Sequence, residues 1–369
     1  MNEIKVYLQY PWTFPDSPYY KYLMESPTKG IRYKNVSNQK GVSTNKRFIW
    51  TMRWLKVYLR KIVNFIYPSM PNSHLSPKGN YDLIHCAHCL SKNKDKPWVA
   101  DIEFPGQLWV SGRPPKNKRK VLKLLSSKNC KKLIFWTKMM QNDFLKEFPQ
   151  LKHKCVIIYP SIPSQKIIKK TDSNINLLYT GRYFYGKGGL HSLEVIDRLT
   201  KKYKNVHGTI VSSVPKNIEE KYSKNKKIQF YKLMPQEKFF EIFSKADIFI
   251  YPGYSDSFGF AIPEAMSFGA IPVSVDISNR RELIEEGKTG FLIKITNWNH
   301  KNLIKLGEII NGNAEKIISD LEEKVKKLIK DKNLRKRMSQ NCIKEIKSGK
   351  FFMEKNNLKI KNIYGEAVK

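Results

Sequence analysis

Short apolar runs bounded by turn residues recur along the chain, and segments with helical spacing lie between several of them. IKVYLQY opens the series and stops at Pro11; YDLIHCA, PWVADIEF, KKLIFWT and KCVIIYP follow. Runs of this length, rich in Val, Ile and aromatic residues, read as strands. A polar, Pro-interrupted stretch without period, SIPSQKIIKKTDSN (161–174), reads as a linker between two such series. The second series begins with NINLLYT (174–180) as a strand and GLHSLEVIDRLTKKY as a helix, with Leu190, Leu193, Ile196 and Leu199 recurring every third residue. VHGTIV and KIQFY are further strands, QEKFFEIFSKA a helix, ADIFIYP a buried-type strand, PEAMSFG a short helix and AIPVSV the strand after it. The stretch AEKIISDLEEKVKKLIKDKNLRKRMSQNCIKEIK reads as one long amphipathic helical region, with KFFMEKNNLKIKNIYGEAV closing the chain. Strands alternating with helices predict the α/β class, with parallel sheets in two domains and a ligand cleft at the carboxyl ends of the strands.

Composition adds little to that picture except charge. Across 369 residues there are 68 Lys and Arg against 32 Asp and Glu, a formal +36. Residues 1–170 hold 32 basic and 9 acidic residues, net +23, and the remainder nets +13. Nucleic acid, acidic lipid or phosphorylated substrates are the partners such a balance admits. AT-rich coding, with its Asn, Ile, Tyr and Phe beside Lys, produces the same surplus. Hydrophobic content of 41% excludes wholesale disorder. Five cysteines are too few for a disulfide framework, and no apolar run spans a bilayer. With no signal peptide in MNEIKVYLQY, a cytoplasmic location is expected.

The chemistry concentrates in YSDSFGFAIPEAMSFGAIPVSV (254–275), directly after the buried strand ADIFIYP. Asp256 and Glu264 stand eight apart around Gly259 and Pro263. A loop at a strand end that opens a helix exposes the amides of Phe258, Gly259, Phe260 and Ala261, beside Ser257, to an anion or a hydroxyl-rich group. The two carboxylates can accept hydrogen bonds from sugar hydroxyls. Upstream, LLYTGRYFYGKGGLHSL places Arg182 and Lys187 five apart between a strand and a Gly-rich turn that begins at Gly181. Two fixed cations there would offset the charge that grows on a departing diphosphate without a metal. The same segment falls one residue short of a phosphate-binding loop of nucleoside triphosphatases, because Gly188 stands where Ser or Thr must hold Mg²⁺.

Both segments resemble those of retaining glycosyltransferases of family 4, the group 1 glycosyl transferases. The acidic segment is similar to the family's acid-x7-Glu signature, with Asp256 where Glu is usual. LLYTGRYFYGKGG resembles its GR-x4-KG segment. KIQFYKLMPQEKFFEIFSKADIFIYP, RRELIEEGKTGFLI and KNLRKRMSQNCIKEI extend the likeness over nearly the whole second half. The resemblance implies the GT-B fold: Rossmann-like domains over 1–165 and 166–345 facing a central cleft, and a terminal helix, 346–369, crossing back to the first. It implies a nucleotide-sugar donor with ribose on Glu264, the transferred sugar on Asp256 and Leu233 near the base. It also implies a glycan or a lipid-linked or phosphorylated acceptor, and neither cofactor nor metal.

The first half is a looser match. YPWTFPDSPYY, with Trp12, Asp16 and Ser17, occupies the place of the family's Gly-rich loop, and PWVADIEFPGQLW puts Glu103, or alternatively Asp101, where many members have a catalytic His. Asp101-Ile102-Glu103 is also the nearest string to the metal-holding Asp-x-Asp motif of the other sugar-transfer architecture. HCAHC (85–89) lacks the second ligand pair of a zinc site, so a packed strand end is expected, with His85 or His88 lining the acceptor side as the alternative. KRFIWTMRWLKVYLRKIVNFI (46–66) reads as an amphipathic helix packed on the first sheet, its basic edge and GRPPKNKRK (112–120) facing acidic lipid. Two other classes remain open: a catalytically silent GT-B partner subunit and a basic nucleic-acid-binding protein, though no recognition helix or aromatic platform marks the latter.

Overall fold

The computed structural model describes residues 3–9, 18–35, 46–166, 173–254, 256–296 and 312–369; the side chains of residues 46–50, 52, 53, 56 and 60 are outside the description. Trp12, Asp16, Ser17 and residues 167–172 of the linker therefore lie outside the described residues. The chain divides into two compact units. One is Met1–Ser161 with Phe352–Lys369, and the other is Ile162–Phe351.

The first unit is built on a parallel sheet of β1 (Ile4–Gln9), β2 (Ile31–Lys34), β4 (Leu83–Cys86), β6 (Trp98–Ile102), β7 (Cys130–Phe135) and β8 (Cys155–Ile157), in the order β2-β1-β4-β6-β7-β8. β3 (Ser73–His74) and β5 (Leu90–Ser91) form a separate pair. Every residue of β4 and β6 is buried, as parallel strands covered on both faces require. Trp98, Trp109, Phe135, Phe144 and Leu133 fill the space beside them. The helices are α1 (Pro18–Glu25), α2 (Lys46–Ile66), α3 (Arg119–Ser126) and α4 (Lys138–Glu147), the last capped by the Thr137 hydroxyl, which accepts from the Met140 amide.

The second unit holds β9 (Ile175–Gly181), β10 (Val206–Ser212), β11 (Ile228–Tyr231), β12 (Ile248–Ile250), β13 (Ile271–Val275) and β14 (Phe291–Ile293), all parallel, in the order β11-β10-β9-β12-β13-β14. This is the doubly wound order, reversing between β9 and β12. Its helices are α5 (Gly189–Lys202), α6 (Lys216–Tyr222), α7 (Gln236–Lys245), α8 (Ala261–Ser267), α9 (Arg280–Leu283), α10 (Ala314–Lys330) and α11 (Lys332–Lys347). The long helical region comprises two helices: Asp331 ends α10, and its carboxylate caps α11 by accepting from the Leu334 amide at 2.8 Å.

The last helix, α12 (Met353–Ala367), belongs to the first unit, where it packs against β6 and β7. Its Tyr364 hydroxyl lies 2.6 Å from His85 Nδ1, and His85 Nε2 lies 2.7 Å from Asp101 Oδ2, with all three side chains fully buried. His85 therefore lines no surface, contrary to the alternative drawn from HCAHC: on a strand buried on both faces, its ring points into the core. Cys86 and Cys89 are equally buried, and burial pushes the Cys86 thiol well above its ordinary value, away from the thiolate a metal needs.

α2 differs from expectation as well. Trp54, Tyr58, Phe65 and Ile66 are exposed, Phe65 at 91% and Ile66 at 73%, so the helix does not bury its apolar side on the sheet. No helix among the described residues is long and apolar enough to cross a membrane.

Candidate active site

At the point where the second sheet reverses, the loops leaving β9 and β12 depart from adjacent strands, the position at which doubly wound sheets bind ligands. These two loops, 181–188 and 251–260, carry most of the residues the sequence singles out. They are tied together: the Lys187 amide donates to Tyr183 O, and the Gly253 amide donates to Lys187 O at 3.0 Å. The turn thus delivers the Lys187 side chain to the second loop, where its ammonium pairs with Asp256 Oδ1.

The other carboxylate oxygen is also taken. Arg280, the first residue of α9, places Nη2 2.7 Å from Asp256 Oδ2 and 2.7 Å from the Gly253 carbonyl. Next to it, Asn279 Nδ2 donates to Phe258 O at 2.9 Å. Residues 279 and 280 therefore fasten both ends of the 253–258 loop. A guanidinium with no exposed surface is tolerable only with such partners, since an unpaired buried charge is expelled. The packing leaves little slack: Gly253 sits at φ 58°, and a Cβ there would lie 2.5 Å from Arg280 Nη2; at Gly259, φ 91°, it would lie 2.8 Å from Nη1.

Lys187 and Arg280 both pair with the carboxylate of Asp256, and the half-buried Arg182 stands at the start of the first loop. The buried phenols of Tyr179 and Tyr251 are pushed well up by burial first, then by the Asp256 charge, so they stay neutral.

α8 follows. The Ile262 amide donates to Gly259 O and the Glu264 amide to Phe260 O, both at 3.0 Å, so the helix winds directly out of the loop. Glu264 lies in its first turn, 7% exposed; Phe258 and Gly259 are buried, while Ser257, Phe260 and Ala261 are half-buried. Leu233 lies half-buried in the connection from β11 to α7. Gly181 ends β9, opposite Ser212 of β10. Glu103 belongs to the other unit, where its carboxylate is 3.3 Å from His88 Nδ1, and Asp101 is committed to His85. The two acids of Asp101-Ile102-Glu103 thus pair with different histidines, and no group of three or more metal-ligating side chains occurs among the described residues.

Residues 163–306 match the family model for glycosyl transferases, group 1. The match lies within the carboxy-terminal unit, Ile162–Phe351. Among curated relatives, an uncharacterized glycosyltransferase of Methanocaldococcus jannaschii is 24% identical over 241 residues, 64% of this chain and 60% of that protein. An uncharacterized 41.2 kDa protein of the cps region of Klebsiella pneumoniae is 24% identical over 210 residues, 53% of this chain and 56% of that protein. The chain thus spans less than two thirds of the length of these relatives. Solved structures extend the likeness to the whole chain. WaaG, a glycosyltransferase involved in lipopolysaccharide biosynthesis, matches with a TM-score of 0.58 at 14% identity, covering 98% of this chain and 99% of that one. Anabaena HepE in complex with UDP matches with a TM-score of 0.57 at 13% identity, covering 98% and 100%. TarM of S. aureus, in a structure containing UDP, matches with a TM-score of 0.57 at 15% identity, covering 84% and 58%. The fold is GT-B.

Arg280 is the residue that sequence reasoning missed. Arg280 and Arg281 are adjacent in RREL, yet one is fully buried and the other pairs with Asp276 with 72% of its side chain exposed. The available signal was position: the pair follows β13, the sheet neighbour of β12, whose own following loop carries Asp256.

Proposed function

We propose that the protein is a retaining, metal-independent hexosyltransferase that moves a sugar from a nucleoside-diphosphate donor to a glycan or to a lipid-linked or phosphorylated acceptor. The observation that carries this reading is the joining of Lys187, Asp256 and Arg280 by two loops at the reversal point of a group 1 unit. The diphosphate lies on Arg182, Lys187 and the amides of 258–261, the ribose hydroxyls on Glu264, and the sugar beside Asp256. Asp256 gives the Lys187 ammonium a fixed place, so little reorganisation is needed when the leaving diphosphate gains charge. The bond from the anomeric carbon to the diphosphate breaks, the acceptor oxygen bonds to that carbon on the same face, and the acceptor proton passes to the departing phosphate oxygen. Glu103 is the amino-terminal unit's candidate for orienting the acceptor. The location proposed is cytoplasmic, peripheral on the inner face of the membrane.

A catalytically silent partner subunit is the second reading. It is favoured by one observation: both oxygens of Asp256 are occupied by cations. Thermal-shift measurements against UDP-, GDP- and ADP-sugars test donor binding, because a ligand of the folded state raises its melting temperature. A rise with one base class supports the first reading, and no rise with any of them overturns it. Nucleoside diphosphate release from the donor that binds then separates the enzyme from the silent subunit.

A further inference from the structure

α2 ends in an apolar surface that the chain itself leaves uncovered. Trp54, Tyr58, Leu59, Ile62, Phe65 and Ile66 are all exposed. At 100° per residue they form one stripe along the helix, with Arg53, Lys56 and Arg60 at positions outside it. Soluble proteins seldom leave a contiguous apolar stripe to water without a partner for it.

Charge says which partner. No Asp or Glu occurs between Glu25 and Asp82. A second basic element stands at the helix end: the Lys120 ammonium lies 4.3 Å from the ring centre of Tyr67, and the Val110 amide donates to Met70 O at 3.0 Å. This brings the 112–120 loop, with exposed Arg113, Lys116, Arg119 and Lys120, beside Phe65 and Ile66. A second copy on this surface would set one basic face against another, which like-charge repulsion opposes.

We propose that the Phe65–Ile66 end of α2, together with the 112–120 loop, docks on an anionic lipid surface. Apolar side chains enter the acyl boundary, Trp54 and Tyr58 sit at the headgroup level, and the basic loop meets lipid phosphates. This names the surface behind the peripheral placement proposed above and rests on that placement, not on the transfer reaction.

Co-sedimentation of the full chain tests it, with vesicles of phosphatidylcholine alone or with about 30% phosphatidylglycerol, at about 0.1 M and about 1 M salt. The expected result is binding to the anionic vesicles at low salt, at least about tenfold above neutral ones, and lost at high salt. Phe65→Glu with Ile66→Glu should weaken it about tenfold or more, and Arg113→Gln with Lys116→Gln and Arg119→Gln should abolish the preference for anionic lipid. These positions are exposed, so circular dichroism should show both variants folded. Absence of wild-type binding overturns the peripheral placement. Wild-type-like binding by both variants overturns this surface, as does a concentration-dependent dimer that Phe65→Glu dissolves while vesicles stay unbound. Donor thermal shifts, read separately, report on the transfer reading.

Discussion

Arg280 Nη2 and Asp256 Oδ2 stand 2.7 Å apart, with the guanidinium fully buried and the carboxylate shared with Lys187. The pair fixes the acidic loop from behind while leaving Lys187 at its front, 16% exposed. Removing Arg280 therefore leaves Asp256 Oδ2 and the Gly253 carbonyl without this donor, with Lys187 still on Oδ1. Arg280→Ala should cost about 3–5 kcal/mol, read as a lowered urea midpoint, and Arg280→Lys should recover little because one ammonium cannot serve both acceptors in a fork.

Gly253 tests the same packing from the backbone. Gly253→Ala meets both an unfavourable φ and the Arg280 guanidinium. It should destabilise by more than the roughly 1 kcal/mol of φ strain alone, measured by thermal melting.

The buried chain Asp101–His85–Tyr364 couples the terminal helix to the first sheet. Nδ1 faces the Tyr364 hydroxyl and Nε2 faces the Asp101 carboxylate. Weakening the second contact by Asp101→Asn should cost about 1.5–3 kcal/mol, and Tyr364→Phe about 1–3 kcal/mol. Denaturant titration followed by tryptophan fluorescence would rank them.

These elements show what could be read in advance. Strands such as β6 and β12 announce themselves because burial on both faces demands a largely apolar run. β2, with the sequence IRYK and one buried residue, carries no such mark. Arg182, Lys187, Asp256 and Glu264 were legible because local spacing around glycines sets them. Arg280 was not, since its burial depends on an acid 24 positions away meeting it in space. α2 was misread for a related reason: an amphipathic period shows that a helix has an apolar side, not what covers it.

Acid should weaken the second unit. Burial lowers the pKa of His191, whose Nδ1 lies 2.7 Å from the Tyr254 hydroxyl. The unfolded chain takes up its proton near pH 6.5 while the folded chain resists, so stability is lost as pH falls below about 6.5. His191→Gln should flatten the melting temperature between about pH 7 and pH 5; an unchanged slope would remove His191 as its source.

The central claim is that Arg182 and Lys187 hold the leaving diphosphate of a sugar nucleotide. Its most direct measurement is release of nucleoside diphosphate from the donor that binds, by wild type, Arg182→Ala and Lys187→Ala, each with and without chelator. Wild-type turnover should be indifferent to chelator, and turnover should fall by about 10²–10³ in each folded variant. Wild-type rates in both variants, or turnover abolished by chelator, would contradict it.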